Sequence, residues 1–171
     1  IYMQLTNAPI TEEAKAYLSE EKEVHTIEEA IQGAKDILAE TISDEADYRM
    51  HIREMTVRDG IITSTAKDEE TQSVYEMYYS FEEKINKIAG HRVLALNRGE
   101  KEKILTVKIE APEEQILAYL EKHIIRKENP HTKDILKDTI ADSYSRLIAP
   151  AIEREIRSDL TEKAEEGAIK V

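Results

Sequence analysis

The chain has 171 residues, 40% of them hydrophobic and 35% charged, which is the composition of one folded domain or lobe rather than of a disordered segment. Its 36 acidic and 24 basic side chains give a formal net charge of −12, which opposes long-range attraction to a polyanion. Cysteine is absent, so disulfides, thiolate metal sites and thiol nucleophiles are excluded, and no apolar run approaches the roughly 18 residues of a membrane span. The first residues lack the basic region, apolar core and cleavage site of a secretory leader, and the cytoplasm is the expected compartment.

In chain order, Pro9 to Ser19 predicts a short helix, with Thr11 as cap and Glu12 and Glu13 in its first turn. Thr26-Ile27-Glu28-Glu29 is a capping box for a longer helix, whose buried face is expected from Ile27, Ala30, Ile31, Ala34, Ile37, Leu38 and Ile42. Gly33 inside that helix predicts close approach of another backbone. Ser43 is expected to cap a second helix, which Gly60 ends. Ile61 to Ala66 is β-branched and extended, and Val74 to Ile88 reads as an interrupted helix. Arg92 to Ile109 predicts a β-hairpin, with Leu94 and Leu96 alternating on one arm, Leu105, Val107 and Ile109 on the other, and Gly99 in the turn. Pro112, Glu113 and Glu114 open a further helix through Ile116, Leu117, Leu120 and Ile124, which Asn129-Pro130 ends.

From His131 onward, Leu136, Ile140, Tyr144, Ile148, Ile152, Ile156, Leu160, Ala164 and Ala168 are spaced by four. Each step of four residues turns an α-helix by about 400°, so the stripe winds around the helix and different elements must cover different stretches. Such a pattern predicts a long spine helix with a bend or fresh start near Pro150, which interrupts the hydrogen bond to Arg146. Starting at Ile1 and stopping at Val171 within a helical pattern, the sequence reads as a piece of a longer chain. In such a piece Ile156, Leu160 and Ile169 are expected to be less covered than Ile140 and Ile148.

The expected architecture is mainly α: a multi-helical scaffold with one small antiparallel β-hairpin and a long carboxy-terminal helix. A helical region fills residues 1–130, with the hairpin at about 91–110, and the beginning of a long central helix occupies 131–171.

Three collinear motifs carry a family likeness. His91-Arg92-Val93-Leu94-Ala95-Leu96-Asn97-Arg98-Gly99-Glu100 resembles the HR-x-LA-x-NRGE segment of bacterial Tex proteins, the transcription accessory factors. Upstream, Glu29 to Glu40 (EAIQGAKDILAE) matches the helix that precedes it in that family. Downstream, Asp142 to Arg157 matches D-x-Y-x-RLI-x-P-x-IE-x-E-x-R in order and spacing. The signature residues are thus His91, Arg92, Asn97, Arg98, Gly99, Glu100, Arg146, Pro150, Glu153 and Arg157. The resemblance implies a longer protein, in which this piece precedes a ribonuclease-H-like (YqgF) domain, helix-hairpin-helix repeats and an RNA-binding domain of the oligonucleotide-binding fold. It further implies that the intact protein binds RNA or single-stranded nucleic acid and works with the transcription machinery.

The residues themselves offer little chemistry. Asp47, His51 and Glu54 lie at helical spacing, but Arg49 and Arg53 stand beside them and no metal-binding motif occurs, so neither a metal nor a cofactor is expected. No Walker A loop, nucleophile elbow or dinucleotide turn is present, and no enzyme activity is expected. A helix-turn-helix over Ile37 to Met55 would present Asp44, Glu45 and Asp47 to phosphates, the wrong sign. Glu45 and Arg49, Glu54 and Arg58, Asp142 and Arg146, and Glu153 and Arg157 are spaced as solvated helical ion pairs. His91 is expected to be a buried or half-buried residue fixing the start of the hairpin.

Charge is nevertheless uneven, since residues 91–137 carry ten basic and eight acidic side chains and the remainder fourteen and twenty-eight. If nucleic acid touches this piece, the expected contacts are Arg92, Arg98, Lys101, Lys103, Lys108, Lys122, Arg126 and Lys127. The expected role is a helical scaffold. The alternatives are a protein-interaction module presenting its acidic surface to a partner such as RNA polymerase, and a weak nucleic-acid-binding module.

Overall fold

The structure is a computed structural model that describes residues 27–127 and 129–169, of which 168 and 169 are described in their backbone alone. The helix expected over Pro9 to Ser19 and the cap at Thr26 lie outside these residues. The described elements are α1 (Ile27–Asp44), α2 (Ala46–Asp59), β1 (Ile61–Ala66), a 3-10 turn (Glu76–Tyr78), β2 (Ser80–Lys84), α3 (Gly90–Lys101), β3 (Leu105–Glu110), α4 (Glu113–Ile124), α5 (Lys133–Asp142), a π-helical segment (Ser143–Ile148) and α6 (Ala149–Ile169). The chain is thus mainly α with a small antiparallel sheet and a long carboxy-terminal helical run, as the periodicity predicts. It divides into two compact units, one of residues 1–49 and 114–150, the other of 50–113 and 151–171.

In the first unit α1 packs against α5 and the π segment. Its core holds Ala39, Ile42, Ile116, Leu120, Ile124, Leu136, Ile140, Tyr144 and Ile148. The buried Ser143 hydroxyl donates to the Ala39 carbonyl at 2.6 Å, so the polar group that interrupts this apolar core is satisfied. Ile37, expected in the core, is 67% exposed. Six residues beyond Ile31, it stands about 120° away from the stripe through Ile31, Leu38 and Ile42. Ser43 does not cap α2: it remains within α1, where its hydroxyl donates to the Glu40 carbonyl at 2.9 Å.

The second unit is built on a sheet of order β2-β1-β3, antiparallel throughout, with Ser64 of the central strand opposite Phe81 on one side and Val107 on the other. Its core comprises Ile52, Ile62, Tyr75, Tyr78, Ile85, Val93, Leu96, Leu105, Val107, Ile152, Ile156 and Ala164. Gly60 ends α2 with its amide donating to the Thr56 carbonyl at 2.7 Å. The expected hairpin over Arg92 to Ile109 is not formed. Its first arm is α3, and β3 pairs with β1 instead. The alternation of Leu94 and Leu96 is overridden by the helical spacing of Val93, Leu96 and Gly99, the three buried positions of α3. Val74 to Ile88, expected as an interrupted helix, contains the 3-10 turn and then β2, where burial alternates along Ser80 to Lys84.

The last run stays helical from Lys133 to Ile169, with right-handed helical dihedrals at Ser143 and Ala149 where its segments meet. Six π-helical residues lie just before Pro150, whose missing amide removes one backbone bond from the continuous run at the point where the helix changes its hydrogen-bond pattern. A π turn advances by more residues than an α turn, so it takes up part of the drift of a four-residue repeat. Leu136, Ile140, Tyr144, Ile148, Ile152, Ile156 and Ala164 are all buried and Leu160 is half-buried. Ile156, expected to lose its cover, is only 2% exposed, because the second unit closes over it. The side chain of Ile169 lies outside the described residues.

The glycines differ sharply. Around Gly33 there is open space, contrary to the expected close approach, whereas a Cβ at Gly99 would meet the fully buried Leu105 at its Cγ, 2.8 Å away. Gly33→Ala is expected to stabilise the chain by about 0.5–1 kcal/mol through the unfolded state and helix propensity, and Gly99→Ala to destabilise it by about 1–3 kcal/mol through overpacking. Urea unfolding of the two variants checks this, and a shift of the same sign in both contradicts it.

Candidate functional site

Three of the signature residues, Asn97, Glu100 and Arg157, meet where α3 and α6 come together. Gly90 permits the approach, since a Cβ there would lie 3.2 Å from the Cα of Ala164. One helical turn apart on α3, Asn97 and Glu100 face Arg157 of α6. The Arg157 guanidinium donates to Glu100 through both terminal nitrogens, at 2.9 and 3.4 Å, and to the Asn97 side-chain carbonyl at 2.9 Å. The Asn97 amide in turn donates to the Thr161 hydroxyl at 2.8 Å, which donates to the Arg157 backbone carbonyl at 2.8 Å. This circuit of bonds links Asn97 and Glu100 of α3 to Arg157 and Thr161 of α6. With its side chain 17% exposed, Arg157 needs those acceptors, because a guanidinium largely removed from water is costly unless it is paired.

The neighbouring signature positions also turn inward. Glu153 accepts the Ile109 amide at 3.2 Å and so satisfies a donor on the outer edge of β3. Arg92 pairs with Glu83 at 3.2 Å and lies over the Phe81 ring at 5.7 Å. On the other flank of α6, Arg53 of α2 binds Asp159 and approaches Glu155 at 3.8 Å. His91, expected to be buried or half-buried, is exposed in the first turn of α3.

Of the four ion pairs expected within single helices, Asp142 with Arg146 forms as expected, at 3.0 Å. The Arg146 guanidinium hydrogen-bonds the Asp142 carboxyl and holds it below its ordinary 3.8, while the same bond raises Arg146. Arg157 takes Glu100, Arg58 takes the adjacent Asp59 at 2.9 Å, and Arg49 donates to the Ser43 carbonyl.

The cations expected to meet nucleic acid fall into both units. Arg92, Arg98, Lys101, Lys103 and Lys108 belong to the second, where Arg98 and Lys101 are exposed in the last turn of α3, Lys103 adopts a left-handed φ of 64° in the turn after it, and Lys108 is exposed on β3. Lys122, Arg126 and Lys127 belong to the first, at and just beyond the end of α4, and all three are exposed. Among the described residues no three His, Asp or Glu side chains are placed to hold a metal ion, and no helix is long and apolar enough to cross a membrane.

A family model described as Tex central region-like matches residues 6–171. The chain belongs to that family. It is 57% identical over 161 residues to the protein YdcI of Bacillus subtilis (strain 168), covering 92% of this chain and 22% of that relative. Protein tex of Bordetella pertussis is 32% identical over 98 residues, 56% of this chain and 12% of the relative. The human S1 RNA-binding domain-containing protein 1 is 28% identical over 162 residues, 86% of this chain and 16% of the relative. This Tex central region therefore spans about a fifth or less of the length of these relatives, and the likeness carried by the three motifs is confirmed along nearly its whole length.

Sequence reasoning found the residues of the Tex circuit but not their partnership, and it missed Thr161. The available signal was the spacing of Asn97 and Glu100, which share a face only in a helix. Arg157→Ala is expected to lower stability by about 1–3 kcal/mol, and Arg157→Lys to recover little of it, since a lysine lacks the two-pronged donor geometry. A double-mutant cycle with Glu100→Gln measures the coupling, and additive effects would remove the circuit from the account. A depressed carboxyl stabilises the fold above its unfolded pKa and loses that contribution as pH falls through the folded value. The exposed Asp142 pair therefore contributes at neutral pH and fades below about 4, and Asp142→Asn should flatten that small acid-side loss in a pH series of melting temperatures.

Proposed function

We propose that this Tex central region is a helical scaffold within a transcription accessory protein whose intact form binds RNA or other nucleic acid and modulates transcription, with no catalytic centre of its own. The observation that carries the reading is the direction in which the signature residues point. Asn97, Glu100, Glu153 and Arg157 make their hydrogen bonds to one another, to Thr161 and to the edge of β3, which is what a part selected for a fixed shape requires. Arg53, Arg58, Arg92, Arg146 and Arg157 are paired with carboxylates, which reduces the positive charge these side chains offer a polyanion in a chain of net −12. The name of the human relative specifies an RNA-binding domain in a protein of which this region matches 16%, which supports assigning the tighter nucleic-acid contacts to other parts of the intact molecule.

At about 150 mM salt the region alone is expected to bind an RNA oligonucleotide weakly or not at all, and the intact protein to bind it at least about a hundredfold more tightly. Fluorescence anisotropy with the same labelled RNA compares them. Submicromolar binding by the region alone that survives neutralisation of Arg98, Lys101 and Lys103 would defeat the scaffold reading.

A further inference from the structure

Near the end of α4, rings stand beside cations. Lys122 and His123 follow Tyr119 by three and four residues on α4, beside the buried stripe of Ile116, Leu120 and Ile124, and Arg126 comes two residues after the helix ends. The Tyr119 and His123 rings are tilted against each other with centroids 4.4 Å apart, and the His123 Nδ1 lies 2.9 Å from the Tyr119 carbonyl, which turns the imidazole back over the tyrosine. Tyr48 of α2 meets both rings edge-on, at 6.2 Å from Tyr119 and 6.4 Å from His123. Tyr48 and Tyr119 are half-buried and His123 is exposed, so the stack is anchored at its base and open at its top. An aromatic surface already held in place loses little freedom when a planar group settles on it.

The segment that begins beside these rings departs in charge from the rest of the chain. Lys122 to Lys133 holds four basic side chains and one acidic, in a protein of net charge −12. The carboxyl end of a helix favours cations, which accounts for charge at this position but not for the rings beside it. Burial first, and then the nearby Asp47 carboxylate, push the Tyr119 phenol above its ordinary value. Rings for flat groups and cations for phosphates together fit a single strand whose bases are free to turn outward. They do not fit a duplex, whose bases are stacked inside, or an acidic peptide, which brings charge without planes.

We propose that the surface at the carboxyl end of α4, formed by Tyr119, Lys122 and His123 with Arg126 following just beyond the helix, is a stacking site for single-stranded nucleic acid, with a base on the His123 ring and the adjoining phosphates along Lys122 and Arg126. The site rests on the reading of the intact molecule as a nucleic-acid-binding protein and gives its scaffold a weak contact of its own. The test is fluorescence anisotropy of this chain at about 50 mM salt with three labelled probes of about 12 nucleotides: oligo(A) RNA, oligo(dA), and an abasic phosphodiester strand of equal length. Both base-bearing strands are expected to bind at least about fivefold more tightly than the abasic one. His123→Ala should abolish that preference and His123→Tyr should keep it, whereas Lys122→Ala should weaken all three probes alike and reduce the salt slope by about one. Both positions are exposed, and circular dichroism confirms that the variants fold. No binding at low salt, equal binding of the abasic and base-bearing strands, or a preference that survives His123→Ala would each overturn the site. If one of these results occurs while the intact protein still binds RNA, only the site falls; if the intact protein fails to bind as well, the functional reading falls with it.

Discussion

An arginine whose side chain is only 17% exposed sits between two helices of the second unit, and much of the surrounding geometry follows from the need to compensate its charge. Arg157 requires several oxygen acceptors in one plane, and it finds them on two residues of α3 that are three positions apart. Residues three apart lie on the same side of a helix and on opposite sides of a strand. The pairing with Asn97 and Glu100 is therefore available only if the segment around them is helical. The buried charge selects the conformation of the segment that supplies its partners, and a helix competes successfully with a strand despite alternating leucines.

Close packing carries the constraint outward. The two helices also touch at a second point, where Gly90 lies against Ala164 and a Cβ would stand 3.2 Å from the Ala164 Cα. Gly99, on the far side of the same helix from solvent, lets the fully buried Leu105 press against it and brings the chain directly into β3. The first arm of the expected hairpin is thereby occupied in a helix, and β3 pairs instead with β1, whose other edge takes β2. One outer amide of β3 remains to be satisfied, and Glu153, one turn before Arg157 on α6, accepts it. A single helix face thus fixes a charge, a glycine contact and a sheet edge.

What could be read from the sequence divides along the range of the forces involved. Repeating patterns registered well: β1 begins and ends where its β-branched run does, α4 follows Pro112, and the four-residue stripe from Leu136 is buried as far as Ile156. Features set by one distant partner did not. Glu153 stands four residues before Arg157, the spacing of a helical ion pair, yet each has a better partner on another element, because a two-pronged bond to Glu100 with a third acceptor at Asn97 outweighs a single helical pair of a few tenths of a kcal/mol. Gly33 and Gly99 are equally conspicuous as helical glycines, and only the second has a neighbour that requires it. His91 likewise belongs to the first turn of a helix, where exposure is ordinary, once its segment is no longer a strand. The three motifs identified the family correctly although the conformation assigned to the first of them was wrong, since a family pattern records which residues occur together and not how they are arranged.

The same division of range bears on how a strongly acidic scaffold could touch a nucleic acid. The net charge of −12 acts over about a Debye length, so at low salt it repels a polyanion before any local contact is made. Lysines exposed at the end of α4 counter that field only nearby, and their contribution also weakens as salt rises. Ring stacking operates at contact distance and has little dependence on ionic strength. An open stack of Tyr48, Tyr119 and His123 therefore suits a weak contact here, because its attraction persists when salt screens the repulsion of the rest of the chain, whereas that of a further lysine fades with it.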